Sequence, residues 1–241
     1  MTIRVAQWAT GAVGRAALRE LIENPSFQLV GVLVYDPAKD GLDAGALCGL
    51  PPTTGVRATT YKDVILESGA EVVVHAASKA HAVETNAEDI CRMLAAGIDV
   101  ISTTSYNHLP TYGAATAEAF LDACRTGNSR FHAAGENPGF MFERLVTTVT
   151  GLSKSIDRID LYEATDVSSV DSRPMLIDLM GMGRSPADVT VDSPIIKKLD
   201  MAYRQTLNGT ADVLGIELTH IDVSVDCTTL PHPIEIKAGV I

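Results

Sequence analysis

The sequence predicts an α/β protein: an N-terminal, doubly wound parallel sheet followed by a second, α+β domain. Three observations carry this. Over the first 138 residues, short apolar runs alternate with segments of helical period. Several runs, such as "AEVVVHAAS", are apolar on both faces, which suits parallel strands covered by helices on each side. After residue 140 the rhythm changes to longer alternating patterns and long helical stretches. We therefore place a doubly wound domain at 1–138 and a second, α+β domain at 139–241.

Each element follows from local pattern. "IRVAQW" (3–8) opens the chain as a strand. A helix over 12–24 turns Val13, Ala17, Leu18, Leu21 and Ile22 inward and stops ahead of Pro25, since a residue before proline disfavours the helical conformation. "FQLVGVLVY" (27–35) is the second strand, and the stretch from Asp36 to Gly55 is irregular. A short helix at 61–67 precedes a strand at 70–78. A helix at 80–96 follows, with Val83, Ala87, Ile90 and Leu94 on one face. Then come a strand at 98–103, a helix at 114–125 with Ala117, Phe120, Leu121 and Cys124 inward, and a strand at 130–135. Right-handed crossovers make such a succession a doubly wound sheet.

Beyond it the pattern gives a helix (140–151), an alternating strand (156–165), a helical stretch (172–182), a helix (194–214) and strands at 216–227 and 233–241. Met175, Leu176, Leu179, Met180 and Met182 form an apolar set that suits either a pocket lining or plain core.

Composition narrows the function. The 241 residues are 46% hydrophobic and 20% charged, and the net charge is -11. That balance argues against a nucleic-acid or anionic-membrane partner, which would need a basic face. No apolar run is long enough for a membrane span. The start, "MTIRVAQW", enters a strand with no signal-peptide core. Cys48, Cys91, Cys124 and Cys227 are scattered without a C-x-x-C. They read as reduced core thiols of a cytoplasmic protein, with no metal site.

The informative stretch is "ATGAVGRAAL", where the first strand turns into the first helix on Gly11 and Gly14. A helix N-terminus offers free N–H groups and a positive dipole end to a phosphate. The dinucleotide-binding fingerprint of the Rossmann fold reads G-x-G-x-x-G. Here Ala9-Thr10-Gly11-Ala12-Val13-Gly14 has alanine in place of the first glycine. Gly11 would admit the diphosphate, and Gly14 would let helix and strand pack closely. A bare tight turn is the competing reading. The second strand ends in "YDPAK": Asp36 would suit the ribose hydroxyls of NAD, and Lys39 the 2′-phosphate of NADP. Asp36 could instead simply cap the turn at Pro37. The remaining strand ends put Ala77, Ser78, Thr103 and Asn137 at the same edge as expected cofactor contacts.

Four stretches carry a family resemblance: "WATGAVGRAAL", "DVISTT" ahead of a loop with Pro110, "HAAGENPGFM" (132–141) and "LMGMGRSP" (179–186). Together they resemble the 2,4-diaminopentanoate dehydrogenase family, relatives of dihydrodipicolinate reductase that include NAD(P)H-dependent amine dehydrogenases, and specifically its actinobacterial branch. The resemblance implies NADP as cofactor, with NAD as the alternative, a homodimer, and a small carbonyl or amine substrate with ammonia. It does not extend to the dihydrodipicolinate site, since no two of the six histidines are adjacent and no matching lysine loop exists. Members of this family continue beyond the point where "PIEIKAGVI" stops in mid-strand, so the second domain is expected to be incomplete at its C-terminus.

The family's amine dehydrogenases are expected to place a glutamate after the strand that here reads "ISTTSYNHLP", which has no acid. Glu136, in the neighbouring loop, is the carboxylate available instead, with Tyr106 second and Asn107 and His108 as polar neighbours. Glu136 could also be a solvated loop carboxylate and Tyr106 a packing aromatic. Three readings follow: an NAD(P)H-dependent enzyme for reductive amination and its reverse, a reductase of cyclic imines, or a dinucleotide-sensing protein without turnover.

Overall fold

The computed structural model describes residues 2–77 and 83–241. Ser78 and the first residues of the helix expected from 80 lie outside them. The chain divides into two compact units, Met1–Phe140 and Met141–Ile241.

The first unit is built on six parallel strands: β1 (Ile3–Trp8), β2 (Phe27–Leu33), β3 (Ala58–Thr59), β4 (Val72–His75), β5 (Asp99–Ser102) and β6 (Phe131–Ala133). Their spatial order is β3-β2-β1-β4-β5-β6. Chain order runs outward from β1 in one direction and resumes from β4 in the other. The connection from β3 to β4 therefore crosses the sheet, and the switch point lies between β1 and β4. The two-residue β3, between the irregular stretch and the helix expected at 61–67, was not legible in the sequence.

The register adds a detail that alternation could not give. Trp8 pairs with Leu33 and with His75, Leu33 with Thr59, His75 with Ser102, and Ser102 with Ala133. Each of these is the last residue of its strand. All six strands thus end on one row, and all their outgoing loops start at one level.

Helices cover the sheet as the apolar periods dictate. The strand residues Ala6, Trp8, Val73 and Val100 join Ile65, Ile90, Met93, Leu94 and Phe120 in the larger core. The last five come from α3 (Lys62–Leu66), α4 (Val83–Ala95) and α5 (Ala114–Gly127). A smaller core gathers Leu18 of α1 (Ala12–Glu23) with Val32, Val34, Ala44 and Leu47, the last two from α2 (Ala44–Leu47). Asp43 organises this irregular stretch. It accepts bonds from the N–H of Gly45 (2.9 Å) and of Gly55 (3.0 Å) and from the Thr54 hydroxyl (2.9 Å). Two expected inward residues are exposed, Val13 and Leu121. Val13 stands in the first turn of α1, beyond the end of β1. On α5 the buried phase falls on Phe120 and Ala123, which turns Leu121 outward. Cys91 and Cys124 are partly buried free thiols, but Cys227 is exposed rather than core.

In the second unit α6 (Thr147–Thr150) touches α7 (Pro194–Leu214), and β7 (Glu235–Ile236) pairs with β8 (Gly239–Val240) as a hairpin. The expected strands at 156–165 and 216–227 form no ladder among the described residues. Strand alternation states which faces differ, but a strand also needs a neighbour for its N–H and C=O groups. Without one, Tyr162 is almost wholly exposed. Of the methionine-rich set, Leu176 is buried with Ile236 and Ala238, with Met180 and Met182 packed against them, whereas Met175 is exposed. Leu176, Met180 and Met182 are therefore core.

One buried polar group on the last row couples the fold to pH. His75 is fully buried, and its Nδ1 lies 3.0 Å from the Ser102 hydroxyl. Burial, with a lesser push from the Lys62 ammonium, lowers its pKa to about 4. The imidazole is thus neutral in the fold and titrates in the unfolded chain near its ordinary value of about 6.5. A depressed folded pKa contributes stability above the unfolded value, and that stability is lost as pH falls toward 4. The unfolding midpoint should drop between pH 7 and pH 5, and His75→Gln should give a shallower slope over that window in thermal melts. Equal slopes would exclude His75 as the source.

Candidate functional site

The flush edge brings five loops together. The turn 9–14 leaves β1, 36–39 follows β2, 76–77 follows β4, 103–108 follows β5 and 134–139 follows β6. The first of these shapes the centre. Ala9 lies in the left-handed region at φ 73°. An L-residue there is strained by roughly 1–2 kcal/mol, which is why a glycine usually fills such a place. The turn feeds α1, whose N-cap is Gly11. The first N–H groups of a helix have no partner within it.

The two glycines do different things. A Cβ on Gly14 would overlap the carbonyl oxygen of Ala9 and come within 3.2 Å of Gln7 Nε2. Gly14 is a packing requirement, set by how closely α1 approaches the turn. A Cβ on Gly11 would meet nothing within 4 Å. The backbone there is open, and a large group can approach it.

Lys39 is drawn to the same place. Its Nζ lies 3.4 Å from both the carbonyl oxygen and the hydroxyl of Thr10. Asp36 spends one carboxylate oxygen on the N–H of Ala38 (2.9 Å), capping the turn Pro37–Lys39. Of the two, the cation is the one that touches the glycine turn. Trp8, on the last row directly below, donates its indole N–H to the Tyr35 hydroxyl at 2.9 Å. The Lys62 ammonium stands 6.0 Å from the centre of the Trp8 ring and is paired with Asp89 at 2.6 Å.

The loops after β5 and β6 meet. Gly139 sits at φ 137°, and a Cβ there would stand 2.9 Å from Asn107 Nδ2. Glu136, at the start of that turn, is exposed. The Asn137–Pro138 peptide is cis. Asn137 is half-buried, as is Thr103, whose N–H bonds the carbonyl of His75. Ala77 is buried and accepts a bond from the Thr104 hydroxyl at 2.9 Å. His108 contacts the Thr111 hydroxyl at 2.7 Å through Nδ1.

The Tyr106 ring lies below the edge. The residue is 2% exposed, and its ring lies 4.9 Å from that of Tyr112 and 5.2 Å from that of Phe120. Ser105 and Tyr106 are both left-handed, at φ 55° and 64°. That turn drives the ring down into the aromatic core instead of out over the edge. Tyr106 thus packs its ring among aromatic neighbours, while Glu136 is exposed. Gln7, which sequence reasoning passed over, is fully buried and donates from Nε2 to the carbonyl of Ala9 at 2.9 Å. Its only signal was an amide among the apolar residues of the inner end of the strand, Val5, Ala6 and Trp8.

No group of three or more histidines, cysteines or acids among the described residues could hold a metal ion. No described helix is long and apolar enough to cross a membrane.

Strand order, parallel direction and glycine turn make this a Rossmann-type fold, the class in which ligands bind outside the carboxyl ends of the strands at the switch point. No family model matches the sequence. Over 224 residues it is 33% identical to an amine dehydrogenase from Streptomyces virginiae, covering 91% of this chain and 61% of that protein. The chain therefore spans about three fifths of the length of this curated relative. The structure resembles that of the amine dehydrogenase from Mycobacterium smegmatis with a TM-score of 0.72, covering 99% of this chain and 69% of the other. At 17% identity this second likeness is one of fold.

The glycines give a paired test. Gly14→Ala should lower stability by about 2 kcal/mol or more, as overpacking against backbone does. Gly11→Ala should cost no more than about 1 kcal/mol, the scale of an N-cap change. Chemical denaturation of both variants checks the order, and a reversed order would mean that the close approach lies elsewhere.

Proposed function

We propose that the chain belongs to an NADP(H)-dependent oxidoreductase that reductively aminates a small aldehyde or ketone and runs the reverse oxidative deamination. The observation that carries this reading is the open backbone at Gly11 beside the Lys39 cation, at the edge where the Glu136 loop also emerges. The similarity to the Streptomyces amine dehydrogenase supports the choice of reaction. Placement within the 2,4-diaminopentanoate branch is part of the same proposal.

The residues fit a dinucleotide. Gly11 and the first N–H groups of α1 would hold the diphosphate. Lys39 would take the 2′-phosphate, which favours NADP over NAD. Ala77, Thr103 and Asn137 would border the rest of the cofactor. The nicotinamide supplies the hydride, and the protein supplies position and charge.

Glu136 is the group assigned to the substrate nitrogen. Reductive amination passes through a cationic iminium form of the substrate, and a carboxylate beside it lowers the barrier to its formation. The same carboxylate can accept and return the proton of the nitrogen. Asn107, against Gly139, fixes the floor of this loop. The substrate that fits is small and mostly apolar, with ammonia as co-substrate.

The test is oxidation of NADPH with a panel of small carbonyl compounds, with and without ammonia. Turnover should depend on ammonia, and Glu136→Gln should slow it by about 10²-fold, the scale of one acid–base group. An equal rate without ammonia would make the protein a carbonyl reductase. Saturable binding with no turnover on any substrate would favour a dinucleotide sensor. For cofactor choice, Lys39→Ala should weaken NADPH more than NADH in calorimetric titrations. Equal losses would remove Lys39 from the 2′-phosphate.

A further inference from the structure

The fingerprint's first glycine is absent, yet its backbone conformation is kept: Ala9 adopts φ 73° where glycine would be at ease. Something must hold an alanine there. Gln7, two residues earlier on β1, is the side chain in position. Its Nε2 donates to the Ala9 carbonyl at 2.9 Å and lies 3.3 Å from that of Trp8. Its Oε1 is buried and finds no partner among the described residues. A buried amide satisfied on one side only is a poor choice for stability, and an apolar side chain of the same shape would suit the core better. Packing alone does not explain Gln7.

We propose that Gln7 is a positioning residue that clamps the left-handed Ala9 turn and so aims the backbone of the phosphate-binding loop. The peptide from Ala9 to Thr10 is planar and trans, so its N–H points opposite to its C=O. With the Ala9 carbonyl held inward against Gln7 and the start of α1, the Thr10 N–H faces away from them. Gln7 Nε2 also lies 3.2 Å from where a Cβ on Gly14 would be. One side-chain amide of the strand therefore bonds the turn and lies beside the helix start. The clamp stands in for the missing glycine, and the two changes form a pair: with glycine at position 9, the amide has no task left.

This inference rests on the dinucleotide reading above, and its test separates the two. NADPH binding is measured by calorimetric titration for the wild type, Gln7→Leu, Ala9→Gly and the double variant, with thermal melts alongside. Gln7→Leu should bind NADPH about tenfold more weakly, the worth of one buried hydrogen bond. Adding Ala9→Gly should restore the affinity to within about twofold of the wild type, because neighbouring sites that share one contact are non-additive. A merely structural role would change the melting temperature and leave affinity alone, and it would not be rescued at position 9. Should Gln7→Leu not fold, Gln7→Met keeps the length of the side chain and takes its place in the cycle. Unchanged affinity in the single variant, or a loss that Ala9→Gly leaves in place, overturns the clamp while the dinucleotide reading stands. A wild-type chain that does not bind NADPH overturns both.

Discussion

Where β1 ends, the first turn of α1 lies so close to the carbonyl of Ala9 that position 14 has no room for a side chain. The helix start cannot approach that near unless the chain reverses within a few residues, and the left-handed Ala9 makes the reversal. From this contact the rest of the edge follows. The helix axis is set against the sheet at the switch point. Its unpaired N–H groups come to the level at which all six strands stop. The open side of Gly11 then faces whatever occupies that level. A slightly longer turn would let Gly14 carry a side chain and would also move the helix dipole away from the edge.

Much of this was legible in the sequence because it rests on local rules. Apolar runs on both faces located the strands, helical period located the helices, and two glycines three apart marked the turn. What was not legible depends on partners distant in the chain. The inward fall of the Tyr106 ring follows from two consecutive left-handed residues, a conformation that neither Ser105 nor Tyr106 announces by type. The unpaired stretches at 156–165 and 216–227 have the alternation of strands, but alternation does not supply a neighbour. Gln7 is a third case. Its residue type was visible, but its partner is a carbonyl whose direction depends on a dihedral angle two residues away.

Electrostatics at the edge run against the bulk of the molecule. The chain is acidic overall, with a net charge of -11, yet the turn that would receive an anion has a lysine resting on it. Asp36, three residues before that lysine, has one oxygen committed to the backbone of its own turn. A small positive spot on an acidic protein discriminates more sharply than a broad basic face would, because long anionic polymers are repelled elsewhere while a short phosphate can still enter. Lys62 is prevented from adding to it by Asp89, which holds it to 2.6 Å beside the Trp8 ring.

Trp8 is the only tryptophan in the chain, and it sits on the last row of the sheet beneath the glycine turn. The indole is 1% exposed, bonded through its N–H to Tyr35 and flanked by the His75 ring at 6.0 Å. All of this chain's indole emission therefore originates from one fixed chromophore at the carboxyl edge of the sheet. Its quenching and its anisotropy report on that edge with no contribution from elsewhere in the chain, so the chain carries its own optical probe of that edge without a label.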